Sequence, residues 1–372
     1  KIKLVTFFGT RPEIIRLSSI IKKFDKYFEQ VIVNTNQNFD YELSEIFFKD
    51  LDIRKPDYNL NCANSSPSKT IGKVIEKTEI LLKKIKPDIF FILGDTNSAL
   101  GSIAAKKLKI PIFHYEAGNR CHDQRVPEEI NRKIVDHIAD INLTYSQISK
   151  KNLIAEGIHE KQIIAIGSPL YEVIKDNINK INNSQILKKN KLTKNNFFLL
   201  SVHREETVES QKSLKIVFSI INKLCSNKKN KIILSAHPRL RKKLNKSVSN
   251  INNLKISNPF SFSDYCSLQK NAKIVISDSG TINEEASILS FKGINLRNTH
   301  ERHEANEQMP TLMSGLDSDN FFKCLDHLEN SNYLPATVKE YSINNVSDKI
   351  ARVILSYKNY VKRYFYYQND FK

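Results

Sequence analysis

The sequence predicts a two-domain α/β protein in which each domain is a parallel sheet covered by helices. Three observations predict it. Short apolar runs alternate with longer amphipathic stretches. The alternation pauses and then restarts beyond the middle of the chain. The length, 372 residues, suits two domains, or three, at about 150 residues each. Lys3–Phe8, Val31–Asn34, Ile89–Leu93 and Ile112–Tyr115 have strand length and are rich in β-branched and aromatic residues. They are apolar on both faces, which marks strands inside a covered parallel sheet. Between them, Pro12–Phe28 and Thr70–Ile85 read as helices. In the second, Ile71, Val74, Ile75, Thr78, Leu81, Leu82 and Ile85 recur at spacings of three and four and form one buried face.

The pattern then begins again. Phe197–Val202, Ile232–Ser235, Leu254–Ile256 and Ile274–Ile276 read as a second set of strands. Lys175–Asn196 is rich in Lys and Asn and poor in large apolar residues, and reads as the linker region. Asn344–Phe371 reads as a long final helix bearing Tyr357, Tyr360, Tyr364 and Phe365. The predicted division is 1–174 for the first domain, 175–343 for the second, and 344–372 for a helix packing back on the first. The expected architecture is two Rossmann-like, doubly wound domains facing across a cleft, with ligands at the carboxyl ends of the strands.

Composition removes several classes of function. Hydrophobic residues make up 40% and charged residues 26%, which is wrong for a disordered chain. No apolar run approaches the roughly eighteen residues of a membrane span. Lys1–Val5 reads as a strand running into a Gly-Thr-Arg-Pro turn, not as a signal peptide. Cys62, Cys121, Cys225, Cys266 and Cys324 contain no Cys-x-x-Cys pair, so free thiols in a reducing cytoplasm are expected. The net charge of +18 invites a polyanion partner. A nucleic-acid binder would need a basic stripe with interleaved aromatics, and the lysines are scattered instead. Neither nucleic acid nor membrane insertion is expected.

The unusual residues collect at predicted strand ends. Gly9-Thr10-Arg11-Pro12-Glu13 follows the first strand, Gly94-Asp95-Thr96 the third, and Glu116-Ala117-Gly118 the fourth. In the second set, His203-Arg204-Glu205, His237 and Asp278-Ser279-Gly280 follow strands in the same way. Pro12 suits a first helical turn, so the preceding N–H groups and Arg11 form a candidate anion site. The alternative is an ordinary turn with a solvated Arg11. Ser279, Gly280 and the start of the next helix form a candidate diphosphate site, with Glu285 placed to accept from ribose hydroxyls. A capping box explains the acids there but not the Ser-Gly pair. No Gly-x-Gly-x-x-Gly or Walker motif is present, which argues against NAD and against ATP hydrolysis.

Asp95, Glu116 and Glu128 all lie at or just after strand ends of the first domain. Converging carboxylates push each other's pKa values apart, which suits proton transfer. Glu128 and Arg132 are four apart on a predicted helix opening at Pro127, and share a face. His203 and His237 suit phosphate contact or acid/base work. His300-Glu301-Arg302-His303-Glu304 does not have metal-ligand spacing.

These motifs, in order and over essentially the whole chain, resemble the non-hydrolysing UDP-N-acetylglucosamine 2-epimerases. The matching segments are Gly9–Glu13, Gly94–Thr96, His114–Gly118, Pro127–Arg132, His203-Arg204, and Asp278–Gly280 with Glu284–Ala286. The resemblance implies a glycosyltransferase-B-like fold, a homodimer, a UDP-sugar substrate, and neither metal nor NAD as cofactor. It implies that Asp95, Glu116 and Glu128 are acid/base residues, with His203 and Arg132 beside the diphosphate and sugar. Arg11, His237, Ser279, Gly280, Glu285 and Arg302 would hold the nucleotide and substrate. The segment Asn119–Val126, Thr281 after Ser279-Gly280, and His300–Glu304 depart from the glucosamine-type pattern. They look like the branch that converts UDP-2-acetamido-2,6-dideoxy-L-talose to UDP-N-acetyl-L-fucosamine, a capsule and O-antigen precursor. The competing expectations are a UDP-GlcNAc 2-epimerase, a hydrolysing relative, and a glycosyltransferase-B-type glycosyltransferase, since fold alone does not fix function.

Overall fold

The computed structural model describes residues 1–36, 41–123, 126–236, 238–244, 251–299, 301–332 and 335–366. The described chain divides into two compact units, Lys1–Asp176 with Ser342–Lys372, and Asn177–Tyr341.

The first unit holds a seven-stranded parallel sheet. Its strands are β1 (Lys3–Phe8), β2 (Glu29–Asn34), β3 (Tyr58–Asn59), β4 (Ile89–Leu93), β5 (Ile112–Tyr115), β6 (Ile141–Thr144) and β7 (Ile163–Ala165). Their order is β3-β2-β1-β4-β5-β6-β7. Val5 pairs with Val31 on one side and Phe90 on the other, so β1 lies inside the sheet with both faces covered. Phe7, Val74, Leu82, Phe90, Ile92 and Ile112 pack as one core on one side of it. The Val346–Tyr364 helix returns to lie against the Arg11–Tyr27 helix. Its start is fastened where the Ser347 N–H and hydroxyl donate to Glu172, at 2.8 and 2.5 Å.

The second unit repeats the plan with six strands. They are β8 (Phe198–Val202), β9 (Ile232–Ala236), β10 (Leu254–Ser257), β11 (Ile274–Ser277), β12 (Gly293–Asn295) and β13 (Leu312–Met313), in the order β10-β9-β8-β11-β12-β13. Both sheets therefore reverse strand order beside their first strand, between β1 and β4 and between β8 and β11. Ligands of doubly wound sheets bind outside the carboxyl ends at such switch points.

Two expectations change. The stretch read as a linker, Lys175–Asn196, contains the short helices Ile178–Asn182 and Ile186–Lys189, which pack on the Phe262–Asn271 helix of the second unit. Sparse apolar residues suffice there because burying Ile181, Ile186 and Leu192 is enough to seat the segment. The segment Asp278–Ala286 reads as opening a helix, and that helix begins at Ile282, three residues beyond Ser279. Asp278, Ser279 and Gly280 form an open turn before it. Among the described residues, no helix is long and apolar enough to cross a membrane.

Candidate active site

β1 ends at Phe8 and the chain turns through Gly9 and Thr10 into the Arg11–Tyr27 helix, with Pro12 in its first turn. Glu13, on that turn, is buried. Its Oε2 accepts from the N–H groups of Gly9 and Thr10, at 2.7 and 2.8 Å. Its Oε1 accepts from the Thr96 hydroxyl at 2.7 Å. Burial outweighs these donors and pushes the Glu13 carboxyl up to about 7.

Glu116 follows β5 with φ of +71°, a left-handed conformation that costs a side-chain-bearing residue energy. Its carboxylate is ion-paired with Arg16 and accepts from the Tyr145 hydroxyl at 3.2 Å. Glu116 and Glu13 flank the bare backbone of Gly94, where an added Cβ would lie 3.9 Å from an oxygen of each. Next to Gly94, Asp95 accepts from Arg132 Nη2 at 2.6 Å and Nε at 3.0 Å. The same guanidinium is paired with Glu129. Asn131 donates to Asn97 at 3.1 Å, so the Pro127–Ile138 helix is tied to the turn after β4. Glu128 is half-buried on the first turn of that helix. The structure thus brings Asp95, Glu116 and Arg132 to adjacent strand ends, and adds Glu13, Arg16 and Glu129.

Beneath this layer lies a buried polar network that the sequence did not reveal. His114 Nε2 donates to the Gly94 carbonyl at 2.9 Å, and Nδ1 lies 2.9 Å from Asp136. Asp136 also accepts from the Gly118 N–H at 3.2 Å and from Arg120 at 2.7 Å. Arg120 reaches Glu156 at 2.6 Å and holds that carboxyl down at about 2. These bonds link the turns after β4 and β5, which carry Asp95 and Glu116. A buried network of this kind fixes geometry only when every partner is in place.

In the second unit, buried Asp278 spans the switch point. It accepts from the N–H groups of His203 and Arg204, at 3.1 and 3.0 Å, and lies 3.3 Å from His203 Nδ1. Ser279 Oγ is 2.8 Å from Thr281 Oγ1, and Thr281 donates to Glu285 at 2.7 Å. Gln269 donates to the other Glu285 oxygen at 2.5 Å. A Cβ added to Gly280 would meet Arg204 Nη2 at 3.0 Å, Arg297 Nη1 at 3.1 Å and Glu301 Oε1 at 2.7 Å. Two guanidiniums beside an open turn at a helix start make a site suited to a diphosphate. Arg297 was missed because a lone Arg after a short strand carries no sequence signal. Arg302 is 1% exposed and paired with buried Glu284, which turns it into the interior. Arg11 is half-buried with its guanidinium 5.9 Å from the Phe47 ring centroid. His237 and His300 lie outside the described residues.

The UDP-N-acetylglucosamine 2-epimerase family model matches residues 22–355. The chain belongs to the UDP-N-acetylglucosamine 2-epimerase family. A structure of a UDP-N-acetylglucosamine 2-epimerase from Rickettsia bellii is 41% identical with a TM-score of 0.90, covering 99% of this chain and all (100%) of that one. The Methanocaldococcus jannaschii UDP-GlcNAc 2-epimerase, in complex with UDP-GlcNAc and UDP, is 32% identical with a TM-score of 0.87, over 95% of this chain and 100% of that one. A UDP-N-acetylglucosamine 2-epimerase of Methanococcus maripaludis is 35% identical over 341 residues, 89% of this chain and 92% of that protein. Membership of this epimerase family makes the chain an isomerase that acts on a UDP-sugar.

For such an epimerase, Gly280→Ala is expected to weaken UDP binding about ten-fold, or 1.4 kcal/mol. The methyl group must displace two guanidinium tips and a carboxylate rather than backbone, so the thermal midpoint should stay within about two degrees of the parent's. Calorimetric titration with UDP and a melting curve check both. Unchanged UDP affinity would separate the Gly280 cradle from nucleotide binding.

Proposed function

We propose that the protein epimerises a UDP-2-acetamido sugar at C2 by eliminating and re-adding UDP, without an added cofactor. The carboxylates at the ends of β1, β4 and β5 carry this reading, because Asp95 and Glu116 each sit beside a cationic partner and a bare glycine turn. In the forward step a carboxylate takes the C2 proton and the C1–O bond to UDP breaks, leaving a 2-acetamidoglucal. In the return step a UDP oxygen bonds to C1 while C2 receives a proton on the opposite face. The steps are redox-neutral. They need bases able to take a weakly acidic proton and cations able to stabilise the leaving diphosphate.

Asp95, Glu116 and Glu128 are the acid/base groups, with Arg132 orienting Asp95 and His203 beside the diphosphate. Ser279, Gly280 and Glu285 hold the nucleotide with Arg204 and Arg297, and Arg11 and His237 complete substrate binding. Arg302, held by Glu284 in the interior, supports the second unit from beneath rather than binding the substrate. The finer reading is conversion of UDP-2-acetamido-2,6-dideoxy-L-talose to UDP-N-acetyl-L-fucosamine in the cytoplasm, for capsule or O-antigen synthesis. The Asn119–Val126 segment, Thr281 and His300–Glu304 support it. UDP-GlcNAc is the second reading, supported by the names of the similar proteins. Ile130 and Ile134, one turn apart and 54% and 37% exposed, form an apolar strip that supports a homodimer.

Turnover of the two UDP-sugars, followed by proton NMR at equal enzyme concentration, tests the substrate. The 6-deoxy-L-talose compound is expected to have a kcat/KM at least about ten-fold higher. A preference for UDP-GlcNAc would establish the second reading.

A further inference from the structure

We propose that Glu13 is a positioning residue that locks the turn after β1 to the turn after β4 and so sets the place of Asp95. The inference rests on the epimerase reading of the site. A capping box accounts for one of its bonds, to the Thr10 N–H. It does not account for the bond from Gly9, nor for the bond from Thr96, 83 residues away in the turn after β4, the other strand at the switch point. Thr96 directly follows Asp95, and its hydroxyl also accepts from the Ser98 N–H at 3.3 Å. One carboxylate therefore gathers three donors from the two turns that border the candidate site. Displacement of a catalytic group by about 1 Å is enough to cost on the order of a hundred-fold in rate.

The same geometry distinguishes shape from charge. With Glu13 ionised, Oε1 accepts from Thr96. With Glu13 neutral, the acid O–H can donate to Thr96 Oγ1 while Oε2 still accepts from Gly9 and Thr10. The link is reversed, not broken. Glutamine reproduces this neutral arrangement, with its amide N–H toward Thr96 and its oxygen toward the backbone. Alanine removes every bond. The charged and titratable groups around Glu13 are Glu116 across Gly94, Arg16 paired with Glu116, Arg11 on its own helix, Asp95 with Arg132, and His114 on the Gly94 carbonyl.

Three measurements on the full chain test the proposal. In Glu13→Ala, kcat is expected to fall about 30-fold, while KM and the UDP dissociation constant stay within about three-fold. Glu13→Gln should recover at least about ten-fold of that loss. Amide hydrogen exchange at Gly9–Thr10 and Gly94–Asn97 should quicken at least about ten-fold in Glu13→Ala and much less in Glu13→Gln. In the parent, the folded carboxyl titrates near 7 against 4.5 for the ordinary group. Its contribution to stability is full below the lower value and lost as pH rises through the upper one. The thermal midpoint should therefore fall between about pH 5 and pH 8 by a margin that Glu13→Gln removes.

If Glu13→Ala fails to fold, Thr96→Val cuts the β4 link alone and should quicken exchange at Gly94–Asn97 with kcat about five-fold lower. Parent-like exchange in both turns in either variant would overturn the proposal. So would a Glu13→Gln variant as slow as Glu13→Ala, which would make the charge itself essential. Should the parent convert no UDP-sugar, the epimerase reading falls. Hydrogen exchange and the pH dependence of the thermal midpoint still decide Glu13.

Discussion

Glu116→Gln is expected to lose C2 proton exchange by about a thousand-fold while binding UDP within about three-fold of the parent. The backbone argues for the size of the effect. Glu116 holds a φ of +71°, which a residue with a side chain adopts only where the surrounding structure imposes it. Here it is imposed by β5, whose Tyr115 donates its hydroxyl to the Gly167 carbonyl at 2.7 Å, and by Gly118, whose N–H donates to Asp136. The result is a carboxylate that is 6% exposed and held between Arg16 and Tyr145. Glutamine has nearly the same shape but cannot take a proton at neutral pH. The loss should therefore fall on kcat, read by deuterium incorporation at C2, with UDP affinity read separately by calorimetry. Parallel loss of UDP affinity would move Glu116 from proton transfer to binding.

Gly118→Ala is expected to destabilise the first unit by about 3 to 5 kcal/mol, which lowers its melting midpoint by roughly ten degrees. Two costs add. Gly118 has φ of +79°, where an L side chain is strained by about 1 kcal/mol or more. A Cβ there would also lie 2.3 Å from the Ser149 carbonyl oxygen and 2.9 Å from the Leu153 Cγ, so backbone of the neighbouring helix must move. That helix, Gln147–Ala155, is tied to the same turn by Asn152, which donates to the Gly118 carbonyl at 2.9 Å. At Gly280, by contrast, the contacts are with flexible side-chain ends that can give way. A calorimetric or fluorescence melt decides it, and a midpoint within about two degrees of the parent's would show that the turn relaxes more readily than its geometry implies.

The two doubly wound sheets were legible because their central strands are apolar on both faces and their ends carry glycine and charged residues. The missed strands are β3, β6, β7, β12 and β13. β6 has four residues, with Asn142 and Thr144 among them. The others have two or three and exist through pairing with a neighbour, for example Ile294 with Leu312. No periodicity can announce a strand of that length. At the site, the motif residues Asp95, Glu116 and Arg132 were legible, but their partners were not. Sequence spacing paired Arg132 with Glu128 by helical repeat, while the structure joins it to Glu129 and to Asp95, 37 positions away. Glu13 entered only as the last residue of the Gly9–Glu13 segment, with no role of its own, because burial is a property of the packed sheet and not of the turn. The His114–Asp136–Arg120–Glu156 network escaped for the same reason.

In the proposed mechanism, carboxylates of the first unit remove and replace the C2 proton of a UDP-sugar whose UDP leaves C1 and returns to it before release. Incubation of the parent protein with the UDP-sugar in deuterated water, followed by NMR at C2, tests it most directly. Deuterium should appear at C2 in both epimers, with the sugar still joined to UDP in the recovered material. Absence of deuterium at C2 in every UDP-2-acetamido sugar supplied, or accumulation of free sugar in its place, would contradict the account.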